Sequence, residues 1–192
     1  MKRAAVYCGA SEGNSLVYKQ QAIELGNWLV DKGYGLVYGG GNVGLMKRIA
    51  DTVLAKGGEV IGVMPNFLIE REIAHPALSE LITVSNMHER KKKMMDLADC
   101  YIALPGGPGT LEEISEVISW ARVGEHGNPC ILWNSQGYYD LLGSFFNHMV
   151  TEGFLSPADR ENILITESFS EMKAFIDTYK GIAVREYKKT EH

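Results

Sequence analysis

The stretch from Cys100 to Ala121 constrains this chain more than any other. Cys100-Tyr101-Ile102-Ala103-Leu104 is a short apolar run of the kind that makes a buried strand. Leu111, Ile114, Ile118 and Ala121 recur at helical spacing, with Glu112, Glu116 and Ser119 on another face. Between run and helix lies Pro105-Gly106-Gly107-Pro108-Gly109, three glycines and two prolines. A strand, a glycine-rich turn and a helix N-terminus let backbone N–H groups approach an anion, which the helix dipole favours. Thr110 adds a hydroxyl at the same mouth, and Glu113 a carboxylate one turn inside. Thr110-x-x-Glu113 also spells a capping box, in which both side chains satisfy orphan helix N–H groups. The glycines favour the anion seat, because a cap needs one good residue and not a bare backbone cradle.

The same alternation runs through the chain. Strands are expected at Ala4 to Cys8, Leu36 to Tyr38, Glu59 to Met64, Leu81 to Val84, Cys130 to Trp133 and Ile163 to Ile165. Helices are expected from Leu16 to Lys32, Leu45 to Lys56, Asn86 to Ala98, Tyr138 to Glu152 and Phe169 to Tyr179. Asn66 to Leu81 reads as a loop with one helical turn. Strands and helices alternating at this pace make βαβ units, hence an α/β fold whose parallel sheet is covered on both faces. Ligands of such sheets bind outside the carboxyl ends of the strands, where the glycine-rich turns fall. At 192 residues the expectation is a single domain over 1–184, with 185–192 a charged, frayed tail.

Composition narrows the partners. Nineteen basic against 24 acidic residues give a net charge of −5, which argues against a general nucleic-acid or membrane-surface binder. No run approaches the ~20 apolar residues of a membrane span, and the N-terminus turns polar too soon for a signal peptide. Cys8, Cys100 and Cys130 each sit in an apolar run without zinc-ligand or redox spacing. Buried, reduced thiols and a cytoplasmic location are the reading.

Two further features bear on chemistry. Gly39-x-Gly41-x-x-Gly44 matches a dinucleotide fingerprint as a string, but it follows the second strand, and the acid ~20 residues on, Glu59, opens a strand instead of ending one. It reads as a second close-approach loop, or as a turn that permits tight packing. On the helix from Asn86, Met87, Met94 and Ala98 centre the apolar stripe, and Arg90 and Lys91 fall inside its arc. An inward cation needs an anionic partner or a wet cleft. That marks Arg90 as functional; for Lys91 a flank position that snorkels to water fits equally well.

With these residues assembled, Met87-His88-Glu89-Arg90-Lys91 followed by Pro105-Gly106-Gly107-Pro108-Gly109-Thr110-Leu111-Glu112-Glu113 resembles the LOG (Lonely Guy) family of cytokinin riboside 5′-monophosphate phosphoribohydrolases. That family's motif is P-G-G-x-G-T-x-x-E with an upstream Arg-Lys pair. The resemblance extends over Tyr7-Cys8-Gly9, Leu36 to Gly41, Gly44-Leu45-Met46, Gly62 to Pro65, Arg71-Glu72 and Gly137-Tyr138-Tyr139. It implies a modified Rossmann fold, a doubly wound parallel sheet, and a homodimer. It also implies Arg90 and Glu113 as the catalytic pair, and substrate contacts at Glu72, Lys91, Gly106, Gly107, Pro108, Gly109, Thr110, Leu111, Glu112 and Ser119. Departures at Ala10, Lys47, Pro108 and Ser119 leave the preferred base open.

The activity so implied is hydrolysis of the N-glycosidic bond of nucleoside 5′-monophosphates, AMP or N6-substituted AMP, to free base and ribose 5-phosphate. It calls for no metal and no redox cofactor. The alternative is a non-catalytic nucleotide or molybdenum-cofactor carrier of similar fold; a third reading is sugar transfer of the nucleoside deoxyribosyltransferase kind. In the helix from Tyr138 to Glu152 apolar residues cover about half the circumference, wider than the ~100° stripe of one core face, which suggests the subunit contact.

Overall fold

The computed structural model of the chain describes residues 1–69 and 74–181. Among these, seven strands form one parallel sheet: β1 (Lys2–Tyr7), β2 (Tyr34–Tyr38), β3 (Val60–Pro65), β4 (Glu80–Val84), β5 (Cys100–Ala103), β6 (Cys130–Trp133) and β7 (Ile163–Thr166). The helices are α1 (Leu16–Asp31), α2 (Gly44–Ala55), α3 (Asn66–Ile69), α4 (Met87–Asp96), α5 (Pro108–Arg122), α6 (Asp140–Thr151), α7 (Pro157–Glu161) and α8 (Phe169–Thr178). The order across the sheet is β4-β3-β2-β1-β5-β6-β7. Starting from β1 the chain winds outward to β4, then returns to place β5 on the other side of β1. The carboxyl ends of β1 and β5 therefore flank the point where the winding reverses, the place at which open parallel sheets bind ligands.

The central strands read as apolar runs because both of their faces are covered, whereas the edge strand β4 is largely exposed. Ala4, Val6 and Cys8 point to one layer, where they meet Leu25 and Leu29 of α1, Ile49 and Val53 of α2 and Met172 of α8. Ala5 and Tyr7 point to the other, with Met94 and Met95 of α4, Ile114 and Val117 of α5 and Phe146 of α6. The doubly wound α/β expectation holds. All three cysteines are free and buried, as expected from their runs. Among the described residues no helix is long and apolar enough to cross a membrane.

Some boundaries differ from the sequence reading. The helix expected from Tyr138 starts at Asp140, because Ser135–Gly137 form a short 3-10 turn in which Gln136 (φ 51°) and Gly137 (φ 72°) adopt left-handed conformations. The five-residue α7 was not anticipated; it is too short for periodicity. Its start was nonetheless spelled in the sequence, since the Ser156 side chain accepts the Asp159 N–H and Pro157 opens the helix. The helical turn expected after Asn66 is α3. The expected tail at 185–192 lies outside the described residues.

The glycine-rich turn after β2 holds the two halves of the sheet's edge together. Gly44 opens α2 at φ 55°, and a Cβ there would lie 2.3 Å from the Ala10 carbonyl carbon, while the Leu45 N–H donates to Gly9 O at 3.1 Å. Of the two readings of this turn, tight packing is what the Gly44 backbone does, against the loop that follows β1. Gly44→Ala is expected to lower stability by at least about 2 kcal/mol, a fall in Tm of roughly 4 °C or more for a chain of this size. Thermal denaturation checks it, and an unchanged Tm would refute the packing account.

Candidate functional site

The site grows from the first turns of two helices. Helix α4 is started by a reciprocal cap: the Glu89 N–H donates to Asn86 Oδ1 at 3.0 Å, and the Ser85 N–H donates to Glu89 Oε2 at 2.9 Å. One turn in, Arg90 crosses the carboxyl ends of β2 and β3. Its Nε donates to Val63 O at 3.1 Å, and Nη1 lies 3.9 Å from Met87 Sδ. Gly39, at the end of β2, makes room for it: a Cβ there would sit 1.9 Å from Arg90 Nη2.

Across the gap stands Glu113 of α5. Arg90 Nη1 is 3.5 Å from Glu113 Oε1, an ion pair looser than a direct hydrogen bond, and each side chain is only 11% exposed. Burial holds the Glu113 carboxyl above its ordinary pKa; Arg90 and Lys91 pull it down, and Glu112 and Glu116 push it up. Beneath the pair, burial also raises the Tyr7 phenol and the Cys8 thiol, so both stay neutral. Among the described residues that line the cavity, the ionic couple is Arg90 with Glu113.

The N-terminus of α5 decides the capping question. Gly107 is its N-cap, with no side-chain bond, and Pro108 is the first helical residue. Thr110 therefore sits inside the first turn and Glu113 a turn further on, so the two do not form a capping box. Thr110 is buried under the loop, where a Cβ on Gly106 would meet its Oγ1 at 2.1 Å. The first N–H groups of α5 have no intrahelical acceptors and no cap, which leaves them for an anion.

Arg90, Gly107, Gly109, Thr110 and Glu113 line one cavity of about 260 Å³, whose floor includes Tyr7, Cys8 and Gly9. The sequence reading brought those five together, and Gly39, Met46 and Leu68 complete the walls. Gly39 carried a signal in its glycine run and Met46 lay in the Gly44-Leu45-Met46 stretch of the resemblance; Leu68 carried none. Gly106, Pro108 and Leu111 lie beside the cavity instead, lining an apolar groove of about 420 Å³ with Tyr138, Tyr139, Leu141 and Leu142. Gly107 borders both.

Lys91 is turned away from the cavity. Its ammonium is buried between Glu112 Oε1 at 2.8 Å and Glu116 Oε2 at 3.2 Å. It neither snorkels to water nor faces the cavity; it ties α4 to α5 beside the Arg90–Glu113 couple. Ser119 is exposed on α5 and does not line the cavity. Glu72 lies outside the described residues.

Comparison with known proteins gives consistent results. The family described as "Possible lysine decarboxylase" matches residues 46–176. The chain is 47% identical over 178 residues to cytokinin riboside 5′-monophosphate phosphoribohydrolase LOG1 of Arabidopsis thaliana, covering 93% of this chain and 84% of that one. With LOG7 of the same plant it shares 45% over 179 residues, 93% and 82% of the two chains, and with LOG of Oryza sativa subsp. japonica 44% over 178 residues, 93% and 74%. Among solved structures, the molybdenum cofactor binding protein of Rippkaea orientalis superposes with TM-score 0.68 at 20% identity, over 93% of this chain and 97% of that one. A structural-genomics target, TM1055, gives TM-score 0.69 at 24% identity, over 92% and 99%. At those identities the likeness is one of fold.

The electrostatics can be checked without assuming any reaction. Glu113 is expected to titrate above an exposed glutamate in a carbon-13 NMR titration of the side-chain carboxyls. Gly39→Ala displaces only the end of a flexible arginine, so it is expected to leave the fold intact while moving Glu113 higher still, because Arg90 is the group that most lowers it. A Glu113 that titrates like a surface glutamate, or does not respond to Gly39→Ala, would contradict the geometry.

Proposed function

This chain belongs to the LOG (Lonely Guy) family of cytokinin riboside 5′-monophosphate phosphoribohydrolases, and from that premise we propose that it hydrolyses nucleoside 5′-monophosphates to free base and ribose 5-phosphate. The substrates are AMP or N6-substituted AMP. The observation that carries this reading is the desolvated Arg90–Glu113 couple facing an uncapped helix N-terminus in one cavity.

The chemistry follows from that arrangement. The 5′-phosphate is held by the N–H groups around Gly107, Gly109 and Thr110. The ribose then lies over Glu113. As the C1′–N bond breaks, its electron pair leaves with the base and C1′ gains oxocarbenium character, which a carboxylate at that position stabilises. Glu113 also orients or deprotonates the water whose oxygen bonds to C1′, and the proton the water loses ends on the departing base. Arg90 does not act as a proton donor, its pKa being above ~12. Bound to Val63 O, it orients Glu113 and offsets negative charge on the departing base or the phosphate.

The buried Lys91 gives no support to the lysine decarboxylase description of the matched family. A Schiff-base lysine needs a lowered pKa. Burial would lower Lys91, but Glu112 and Glu116 outweigh it and hold the ammonium above its ordinary value. The carrier reading rests on fold likeness alone and leaves the buried Arg90–Glu113 couple without a task. Buried free thiols fit a reducing compartment such as the cytoplasm, and the acidic balance fits a small-molecule substrate and not a nucleic acid.

A homodimer is part of the same proposal, and the face that supports it can be refined. Phe146 is buried within the chain, so the wide apolar stripe of α6 is divided: Phe146 packs inward, while Leu141 is 86% and Phe145 53% exposed. Together with exposed Tyr138 and Leu111 these make an apolar surface of the kind a subunit contact covers. Light scattering is expected to give about twice the 21.3 kDa chain mass, and Leu141→Glu with Phe145→Glu to halve it. A monomeric native chain would refute the dimer; a dimer that survives both changes would move the interface elsewhere.

Chromatography of the purified protein with AMP and isopentenyl-AMP tests the activity. Free base and ribose 5-phosphate are expected. Glu113→Gln is expected to reduce turnover by roughly 10² or more with little change in Tm. Binding without release of base would favour the carrier, and a glutamine variant with near-normal turnover would remove Glu113 from the mechanism.

A further inference from the structure

The loop between β5 and α5 is held by donors from outside it. Leu104 O accepts the Tyr139 hydroxyl at 2.7 Å, Pro105 O accepts the Gly9 N–H at 3.0 Å, and Gly106 O accepts the Tyr138 hydroxyl at 2.5 Å. Three successive carbonyls are thus tied down. In a trans peptide the N–H points opposite to the carbonyl of the same unit, and the structure contains no cis bond among the described residues. Drawing Gly106 O toward Tyr138 therefore turns the Gly107 N–H away from Tyr138, and Gly107 itself lines the cavity with Gly109, Thr110 and Glu113.

The two tyrosines do different work. Tyr139 is buried, and its N–H donates to Asn134 Oδ1 at 2.8 Å, so it is part of the core that anchors the turn. Tyr138 is 43% exposed, and its ring meets Tyr139 and Tyr18 edge-on at 5.0 and 5.9 Å between centroids. A half-exposed tyrosine is not needed to fill a core. Its ring is nevertheless steered from two sides, and its hydroxyl ends on a single backbone carbonyl at the entrance to the anion seat. Glycines at 106 and 107 would otherwise leave this peptide free to rotate, since each tolerates a wide range of backbone angles.

We propose that Tyr138 is a positioning residue for phosphate recognition: its hydroxyl fixes the Gly106–Gly107 peptide so that the Gly107 N–H joins those of α5 in facing the substrate's 5′-phosphate. This deepens the phosphoribohydrolase reading and rests on it for the identity of the ligand. The tyrosine itself need not touch the nucleotide. Removing the hydroxyl weakens whatever carries the phosphate and leaves the bond-breaking couple, Arg90 and Glu113, in place.

Tyr138→Phe tests this, because it keeps the ring contacts and deletes only the hydroxyl. Titration calorimetry with ribose 5-phosphate is expected to show binding weakened about tenfold, the size of one lost hydrogen bond to a fixed acceptor. KM for AMP is expected to rise by a similar factor with kcat within about twofold, whereas binding of adenosine, which has no phosphate, stays unchanged. Nitrogen-15 NMR provides a readout that needs no turnover: the Gly107 amide is expected to shift on titration with inorganic phosphate in the native chain, and far less in Tyr138→Phe. Equal weakening of adenosine and AMP, a fall in kcat at constant KM, or an unchanged affinity for ribose 5-phosphate would overturn the proposal. A native chain that binds ribose 5-phosphate through Gly107 yet releases no base from AMP would sink the hydrolase reading and leave this one standing.

Discussion

Everything at the site depends on keeping one arginine and one glutamate charged, close and nearly dry. An unpaired charge in such a place costs several kcal/mol, and even the paired arrangement leaves Glu113 harder to ionise than a surface carboxylate. The fold supplies the compensation from three directions. Val63 gives Arg90 a carbonyl, Gly39 gives it space, and the Asn86–Glu89 cap fixes the helix that carries it. None of these touches Glu113, yet each decides whether the guanidinium stands 3.5 Å from it.

A second clip runs alongside. Lys91, next to Arg90, is gripped by Glu112 and Glu116, which flank Glu113 on α5. Two adjacent cations on α4 thus meet three carboxylates on α5, and the pairing holds the helices at a fixed spacing. The arrangement also sets charge. Lys91 offsets two acids whose negative charge would otherwise drive Glu113 further toward the neutral form. A resemblance alone assigned Lys91 and Glu112 to the substrate; in the structure they are paired with each other beside Glu113 and do not line its cavity.

How much of this was legible in the chain can be judged residue by residue. The central strands were readable because burial on both faces leaves only apolar residues, as in Cys100–Ala103 and Cys130–Trp133. Arg90 was readable because a charge inside an apolar arc demands a partner. The partners of Lys91 were not, since Glu112 and Glu116 lie 21 and 25 positions further along and meet it only through the topology. The capping-box spelling at Thr110 was ambiguous because a helix start is fixed by where the backbone turns, and Pro108 turns it earlier than the threonine suggests. The apolar stripe of α6 gave its width but not its orientation, so the sequence could not say that Phe146 faces inward and Leu141 outward. Tyr138 fell within the resemblance, but the partner of its hydroxyl was not legible, because the acceptor is a backbone carbonyl 32 positions earlier.

The central claim is that Arg90 and Glu113 act as one unit. A double-mutant cycle on kcat/KM for AMP tests it most directly, using Arg90→Gln, Glu113→Gln and the two together. Residues that work as a unit are strongly non-additive. The account predicts that the double variant is no slower, within about threefold, than the slower of the two single variants. Losses that multiply would mean that the arginine and the glutamate contribute independently, and would contradict it.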